Sequence, residues 1–220
     1  MNRHKGKMLN LSPALLISRI ITLVIALTVH EFSHAFVADR FGDDTPRANG
    51  RLTLNPLKHL DVIGSLMLLV AGFGWAKPVP VNPWRLKQQS PSAMMWVSLA
   101  GPASNLFMAI VAGLILRTGL LPTQSTFSFL PSPTDFLLTF TFINLILMLF
   151  NIIPLAPLDG AKVLEFLLPG PLKEGFSKLQ PYGPILLLVM LFVLPRFGID
   201  IIGWFMTPAL IGLQKVLLGG

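Results

Sequence analysis

Long runs of apolar residues, separated by short polar stretches, dominate the chain. Three of these runs cover residues 11–41, 93–116 and 136–153. Each is long enough to cross a bilayer, which takes roughly 20 mostly apolar residues as a helix. Two further runs, residues 184–194 and 199–218, predict a hydrophobic hairpin towards the C-terminus. The pattern predicts an all-α polytopic membrane protein with about five to six membrane-embedded helical segments.

The stretch between the first two long runs has a different pattern. Residues 42–56 are polar and rich in turn residues, which predicts a loop with a short hairpin at residues 51–54. Residues 62–73 are apolar but too short to span, so we expect a re-entrant or interfacial segment there. Residues 74–81 contain two prolines, which favour an extended, β-like backbone. An edge of residues 47–54 or of residues 74–81 could pair with another strand.

Composition supports a membrane protein and limits the possible chemistry. Hydrophobic residues make up 53% of the chain and charged residues 12%, whereas soluble domains carry about 25% charged residues. There is no cysteine, so any metal must be held by His, Asp or Glu. The net charge of +7 is scattered through short loops, which indicates membrane orientation and contact with anionic lipid head groups rather than nucleic-acid binding.

The chain shows no internal repeat and no separate soluble domain. We therefore expect a single membrane-embedded domain of residues 1–220. Its core covers about residues 11–167, and a C-terminal hydrophobic hairpin covers about residues 183–218. Residues 162–180 are more polar and are expected to connect the two parts.

The positions of lysine and arginine predict the orientation in the membrane. Positive residues are frequent between the first two long runs and return after the third, whereas residues 118–134 contain none. Because positive loops stay in the cytoplasm, we expect a multi-pass protein of the cell membrane. The C-terminal end of the first span would then face the cytoplasm. Arg3, Lys5 and Lys7 near the N-terminus argue for the opposite orientation.

Two histidines and a glutamate lie within the apolar helical pattern of the first span. His30 and His34 are four residues apart, so they share one face of a helix and can bind one metal ion. Glu31 lies beside the first histidine, as in the His-Glu-x-x-His pattern whose glutamate acts as general base. Polar side chains are costly in hydrocarbon, so this cluster is more than a chance match.

A catalytic zinc site usually has three protein ligands and one open position. Asp159 is the best candidate for the third ligand, because it follows an apolar span in a Pro-Leu-Asp-Gly turn. The alternative is that Asp159 caps the helix that begins after it. Ligands of this kind in an open tetrahedral site favour zinc over cobalt or iron.

These residues resemble the site-2 proteases, a family of intramembrane zinc metalloproteases. The resemblance is carried by His30-Glu31-Phe32-Ser33-His34, by the stretch from Asn151 to Gly160 with its Leu-Asp-Gly end, and by Gly101-Pro102-Ala103-Ser104-Asn105. It implies one Zn²⁺ per chain, held by His30, His34 and Asp159, with Glu31 as the base. It also implies regulated proteolysis of membrane-protein substrates within the lipid bilayer.

Asn151 and Pro154 complete the set of candidate site residues. The Asn151 amide could donate to the oxyanion or bind the substrate backbone, or it could make an interhelical hydrogen bond instead. Pro154 would break its helix and free backbone groups near the metal, which suggests a part in substrate binding.

Other interpretations of the same residues stay open. Histidine and aspartate inside a membrane also suit a metal-ion transporter, although a transporter should have polar residues along a path across the bilayer. A further alternative is a catalytically inactive scaffold, which keeps the fold but has lost the reaction. His59 is expected to be solvated or paired with Asp61 rather than to bind the metal. The sequence does not determine the oligomeric state.

Overall fold

The structure is a computed structural model that describes residues 12–61, 63–64, 67, 75–125, 127 and 129–219. The described helices are α1 Pro13–Arg40, α2 Thr45–Ala48, α3 Pro83–Gln89, α4 Ala93–Arg117, α5 Pro133–Asn151, α6 Asp159–Leu167, α7 Gly170–Leu179, α8 Gly183–Leu188 and α9 Ile201–Leu218. Shorter helical turns lie at Pro56–Lys58, Gln180–Tyr182, Val189–Val193 and Leu194–Phe197.

Five helical stretches in the described part of the chain are long and apolar enough to cross a membrane. They are Pro13–Arg40, Ala93–Arg117, Pro133–Asn151, Gly170–Phe197 and Ile201–Leu218. Large apolar side chains such as Phe107 and Trp204 are 66% and 68% exposed on the outside of the bundle, as expected of helices surrounded by lipid. The prediction of an all-α polytopic membrane protein is confirmed.

Short signals in the sequence determine where the long helices begin. The Ser12 hydroxyl accepts a hydrogen bond from the Leu15 amide, and the Ser132 hydroxyl accepts one from the Asp135 amide. In both helices a proline follows the capping serine, where its missing N–H costs no helical hydrogen bond. These caps fix the starts of α1 and α5, the two helices that lead to the polar residues of the site.

Helix α4 lies at the centre of the bundle. It packs against α1, α5 and α6, and α9 covers α4 and α5 from another side. Buried Ala38, Leu86, Ala93 and Val97 form a core where the end of α1 meets α3 and the start of α4. Small residues at such contacts let the helix backbones approach closely. The approach of α1 to α4 brings the histidines of α1 against the middle of the bundle.

One sequence prediction about a connecting segment is wrong. Residues 51–54 form no hairpin, because the buried guanidinium of Arg51 turns inward and uses its donors on other parts of the chain. Residues 162–180, which were expected to be a more polar connector, lie mostly in α6 and α7. Their polar residues occupy one side of these short amphipathic helices.

The predicted extended segment is present, whereas the predicted re-entrant segment cannot be compared. An isolated antiparallel bridge joins Leu60 to Ala76, and residues 77–82 follow without helical structure. No strand longer than this bridge occurs among the described residues. Most of residues 62–73 lies outside the described residues.

Candidate metal centre

The two histidines of α1 lie one helical turn apart on the face that packs against α4. They are 5% and 8% exposed. Their rings cover the backbone of α4 at Gly101, where an added Cβ would lie 2.6 Å from Nε2 of His30 and closer still to Nε2 of His34. Gly101 therefore provides the space that both imidazoles occupy.

Asp159 reaches the histidines because a tight turn joins α5 to α6. The turn contains hydrogen bonds from the Leu155 amide to the Ile153 carbonyl and from the Leu158 amide to the Leu155 carbonyl. Asp159 is the first residue of α6, and the capping position belongs to Leu158, whose side chain makes no capping bond. The alternative that Asp159 acts as the helix cap is therefore wrong.

The three candidate ligand atoms form a nearly equilateral triangle. Nε2 of His30 lies 3.0 Å from Nε2 of His34, and Oδ2 of Asp159 lies 3.2 Å and 3.3 Å from these two nitrogens. Three ligands on one tetrahedral zinc ion with bonds of about 2.0–2.1 Å would lie about 3.3 Å apart. The spacing of these atoms therefore fits a single zinc ion.

The hydrogen bond of His34 places its ring hydrogen away from Asp159. Nδ1 of His34 lies 2.6 Å from the Val97 carbonyl oxygen. A carbonyl oxygen only accepts hydrogen bonds, so Nδ1 must carry the hydrogen, and Nε2 of the neutral ring presents a lone pair. Pro102, also in α4, has no N–H to donate. The helix therefore lacks the hydrogen bond that would end at the carbonyl of Ser98, the residue after Val97.

A chain of two buried amides determines the ring hydrogen of His30. Nδ1 of His30 lies 2.7 Å from Oδ1 of Asn105, and Nδ2 of Asn105 donates to Oδ1 of Asn144 at 2.9 Å. Nδ2 of Asn144 donates to the Phe140 carbonyl oxygen at 2.9 Å. Because the chain ends at a carbonyl, every donor points towards Phe140. Nδ1 of His30 therefore donates, and Nε2 of His30 presents a lone pair.

Three lone pairs thus converge on one point between α1 and α6. Oδ2 of Asp159 is buried and has no hydrogen-bond partner among the described residues. Without a cation, two nitrogen lone pairs and a carboxylate oxygen at about 3 Å would repel one another. His30, His34 and Asp159 therefore form a group that could hold a metal ion, and the donor set suits zinc.

Glu31 lies beside this group and is held by the extended segment before α3. Its side chain is 11% exposed, and Oε2 accepts a hydrogen bond of 3.1 Å from the Val79 amide. Nη2 of Arg51 lies 3.9 Å from the same oxygen. The carboxylate therefore has a buried cation and a backbone donor on one side.

Arg51 is buried, although the sequence suggested a loop cation. Gly50, with φ of 64°, ends the turn after α2, and the Arg51 amide donates to the Pro46 carbonyl at 2.8 Å. This turn directs the side chain inward, where Nη1 donates to the Pro78 carbonyl at 3.1 Å and Nη2 donates to the Lys77 carbonyl. Burial lowers the pKa of the Arg51 guanidinium, and the charge of Glu31 opposes that shift.

The structure places Asn151 and Pro154 at the end of α5 and in the turn that follows it. Nδ2 of Asn151 donates to the Leu147 carbonyl of its own helix at 3.0 Å. Pro154 is exposed. Asn151 is thus bonded within its own helix, and the potential metal ligands of the site come from His30, His34 and Asp159.

The environment expected for His59, solvated or paired with Asp61, is wrong. Its side chain is fully buried, and Nε2 lies 2.7 Å from the Thr53 carbonyl oxygen. Asp61 is not its partner but accepts a hydrogen bond from the Gly64 amide. The imidazole therefore lies in the interior of the loop that precedes the extended segment and is bound to the backbone of that loop.

Sequence reasoning missed the roles of Asn105, Asn144, Val97 and Arg51. The two asparagines carried a usable signal, because an amide in an apolar span is costly unless it is paired. The part played by the Val97 carbonyl had no signal, since every residue has one. The burial of Arg51 depends on a long-range approach of two loops, which residue type and local pattern do not indicate.

Comparison with known proteins gives a consistent result. The family model of Peptidase family M50 matches residues 18–131. "Putative zinc metalloprotease YwhC" of Bacillus subtilis (strain 168) is 43% identical over 177 residues, which cover 80% of each chain. "Putative zinc metalloprotease Rip2" of Mycolicibacterium smegmatis is 31% identical over 206 residues, which cover 90% of this chain and 76% of Rip2. No solved structure matches the chain.

Proposed function

The chain belongs to peptidase family M50, the family of the site-2 proteases, and on this basis we propose that it is an intramembrane zinc endopeptidase. Its substrates are the transmembrane segments of other membrane proteins, cleaved in regulated intramembrane proteolysis. The observation that carries the proposal is the convergence of three lone pairs, from His30, His34 and Asp159, beside the carboxylate of Glu31.

Each residue of the site has a definite task in this reaction. A zinc ion held by the three ligand atoms supplies Lewis acidity, which strengthens water as a nucleophile and the scissile carbonyl as an electrophile. Glu31 accepts a proton from the attacking water and returns it to the nitrogen of the departing amine. Asn105 and the Val97 carbonyl keep the ring hydrogens on Nδ1, so both Nε2 atoms remain available as ligands.

Asn151 is proposed as a donor to the oxyanion or to the substrate backbone. Its Nδ2 carries two hydrogens, and one of them is used on the Leu147 carbonyl. The second hydrogen is free to bind an oxygen of the substrate. Pro154 supports the same role by preventing α5 from continuing beyond this position.

The substrate must be unwound locally, because the amides of a membrane helix are already hydrogen-bonded. The extended segment before α3 does not suit the pairing expected from the sequence. The amides of Lys77 and Val79 donate to the His59 carbonyl and to Glu31, and Pro78 and Pro80 have no N–H. Over residues 77–80 a substrate strand would find no free backbone donor, so recognition by this edge is not part of the proposal.

The chain is a multi-pass membrane protein, and we propose that the active site faces the cytoplasm. The supporting observation is that positive residues are concentrated in the loops next to the site, whereas residues 118–134 have none. The lipid bilayer and a membrane-protein substrate are then the partners that the reaction requires.

Cleavage of single-span model substrates by the purified protein tests the proposed function. We expect the wild type to cleave, Glu31→Gln to lose activity by more than about a hundredfold, and both to bind one zinc ion. Glu165→Gln is the matched control, because this glutamate is bound by Lys162 and Gln180 on the surface of α6 and should leave cleavage unchanged. The Glu31→Gln result checks the role of the base directly.

Three other outcomes would contradict the proposal. Zinc movement across reconstituted vesicles without any cleavage would show that the metal is transported cargo. Equal cleavage by wild type and Glu31→Gln would remove Glu31 from the reaction. Bound zinc without cleavage or transport would favour an inactive scaffold.

A further inference from the structure

Arg51 places a buried positive charge beside the proposed base. Its side chain is 5% exposed, and burying a guanidinium is costly unless its donors and its charge are satisfied. Lys and Arg in loops at a membrane surface normally keep their charged ends in water. Arg47, four residues earlier, does so: its side chain is 64% exposed and pairs with Asp39. The inward position of Arg51 therefore calls for a specific explanation.

The guanidinium of Arg51 clamps the proline segment, which we define as residues 77–80. Nη1 and Nη2 donate to two successive carbonyl oxygens, those of Pro78 and Lys77. A planar guanidinium suits this arrangement, because its donors are held in a fixed fork. Arg51 thus fixes both the position and the rotation of the backbone just before Val79.

The proline segment in turn delivers a single donor to Glu31. The Lys77 amide is used on the His59 carbonyl at 2.8 Å, and Pro78 and Pro80 have no N–H. The remaining amide of the segment, that of Val79, donates to Oε2 of Glu31 at 3.1 Å. The prolines on either side also restrict the backbone, which limits the ways in which this amide can turn away.

We infer that Arg51 is a positioning residue of the proposed hydrolysis, acting through the proline segment on the carboxylate of Glu31. By holding the carbonyls of Lys77 and Pro78, it keeps the Val79 N–H on Oε2. One carboxylate oxygen is then fixed, and Oε1 is left to accept the proton of the attacking water. This inference rests on the proposed function, because it concerns the orientation of the base in that reaction.

Arg51→Met tests this role, with Arg47→Met as the matched control on the exposed arginine. Misplacing a catalytic group by about 1 Å can cost roughly a hundredfold in rate. We expect Arg51→Met to lower kcat by about 10- to 100-fold, to change KM by less than about twofold, and to keep one bound zinc. Arg47→Met should match the wild type. Arg51→Lys should recover only part of kcat, since an ammonium lacks the planar fork.

A second pair of variants separates the donor from the arginine. Val79→Pro removes the N–H that Glu31 accepts while Arg51 is intact, and Val79→Ala changes the side chain and keeps the N–H. We expect Val79→Pro to lower kcat as Arg51→Met does, and Val79→Ala to match the wild type. The double variant Arg51→Met with Val79→Pro should be no slower than either single variant, because both act through one hydrogen bond.

Hydrogen exchange gives a measure that does not require activity. Over residues 77–80 only Lys77 and Val79 have an amide hydrogen, so the Val79 amide can be followed by mass spectrometry in the zinc-loaded protein. We expect it to exchange at least about tenfold faster in Arg51→Met than in Arg47→Met, because the clamp that protects it is lost.

Several results would overturn the inference. Val79→Pro with wild-type kcat would show that the donor is not needed. Loss of zinc and of thermal stability in Arg51→Met, with Arg51→Lys no better, would reduce Arg51 to a structural role. If the wild type cleaves nothing, the proposed function fails. The exchange rate of Val79 then decides separately whether Arg51 positions the segment.

Discussion

Asn105 is the residue through which the interior of the bundle controls His30. Its Oδ1 accepts from the imidazole, and its Nδ2 donates both to Asn144 and, at 3.5 Å, to the Ala26 carbonyl of α1. The side chain is fully buried, so it has no water to exchange these bonds with. A candidate metal ligand fixed in this way keeps one tautomer and one ring orientation.

Replacing Asn105 by leucine should weaken zinc binding. The ring of His30 would lose its acceptor, and either tautomer would then be allowed. We expect the zinc affinity to fall by about 10- to 100-fold, as is usual when the partner of a ligating histidine is removed. Competition with a chromophoric chelator in detergent measures this directly. Asn105→Asp is the control, because it keeps an acceptor oxygen for His30, and an unchanged affinity in Asn105→Leu would contradict the argument.

At the scale of elements, the turn from α5 to α6 determines where Asp159 lies. Gly160 is required there, because an added Cβ would lie 2.6 Å from the Ile153 carbonyl oxygen and closer still to the Ile152 carbonyl. Both obstacles are backbone atoms, which cannot rotate away as a flexible side chain can. The third candidate ligand is thus held by the contact between one helix end and the start of the next.

Gly160→Ala should therefore destabilise the protein and disturb the ligand group. Overpacking of this kind costs about 1–3 kcal/mol, and thermal unfolding in detergent should show a lower midpoint. Gly170→Ala is the matched control at the start of α7, where nothing lies within 4 Å of an added Cβ. Equal midpoints for the two variants would show that the turn adapts to the extra atom.

The elements that the sequence predicted well are those governed by one-dimensional patterns. The long apolar runs predicted α1, α4 and α5 closely, because a spanning helix must satisfy its own backbone and needs no partner to be recognised. The His-Glu-x-x-His spacing and the Leu-Asp-Gly turn predicted a ligand group that the structure brings together. Each signal lies within a short stretch of the sequence.

The parts that could not be predicted depend on contacts between distant segments. Arg51 was expected in a loop hairpin, yet its position depends on carbonyls of residues 77 and 78. The polar residues of α6 and α7 indicated a connector, but the overall polarity did not show that this connector is helical. Whether the proline segment has a free edge depends on the partners of the Lys77 and Val79 amides. These partners lie in distant parts of the chain, so only the three-dimensional structure identifies them.

At the scale of the whole molecule, the absence of cysteine makes the orientation simple to measure. Gln88 at the end of α3 and Gln124 between α4 and α5 are both exposed. They flank opposite ends of α4, so they should lie on opposite sides of the membrane. Gln88→Cys and Gln124→Cys would each provide a single thiol in the chain.

We expect a membrane-impermeant maleimide to label Gln124→Cys in intact cells, and to label Gln88→Cys only after the cells are opened. The reason is the asymmetry of positive charge, from which we expect the loops beside the candidate metal centre to lie in the cytoplasm. The reverse labelling pattern would place the site on the outer face. Labelling of both in opened cells is the control for thiol accessibility.

The glycine beneath the two imidazoles also has an evolutionary consequence. Every other amino acid adds a Cβ, and at position 101 that atom would overlap the rings of His30 and His34. A lineage that keeps both histidines is therefore confined to glycine here, unless α1 and α4 move apart. A lineage that has lost them is free to fill the space with a larger residue. Position 101 can thus serve as a marker, distinguishing relatives that still carry the candidate ligand pair in this geometry from descendants that keep only the bundle.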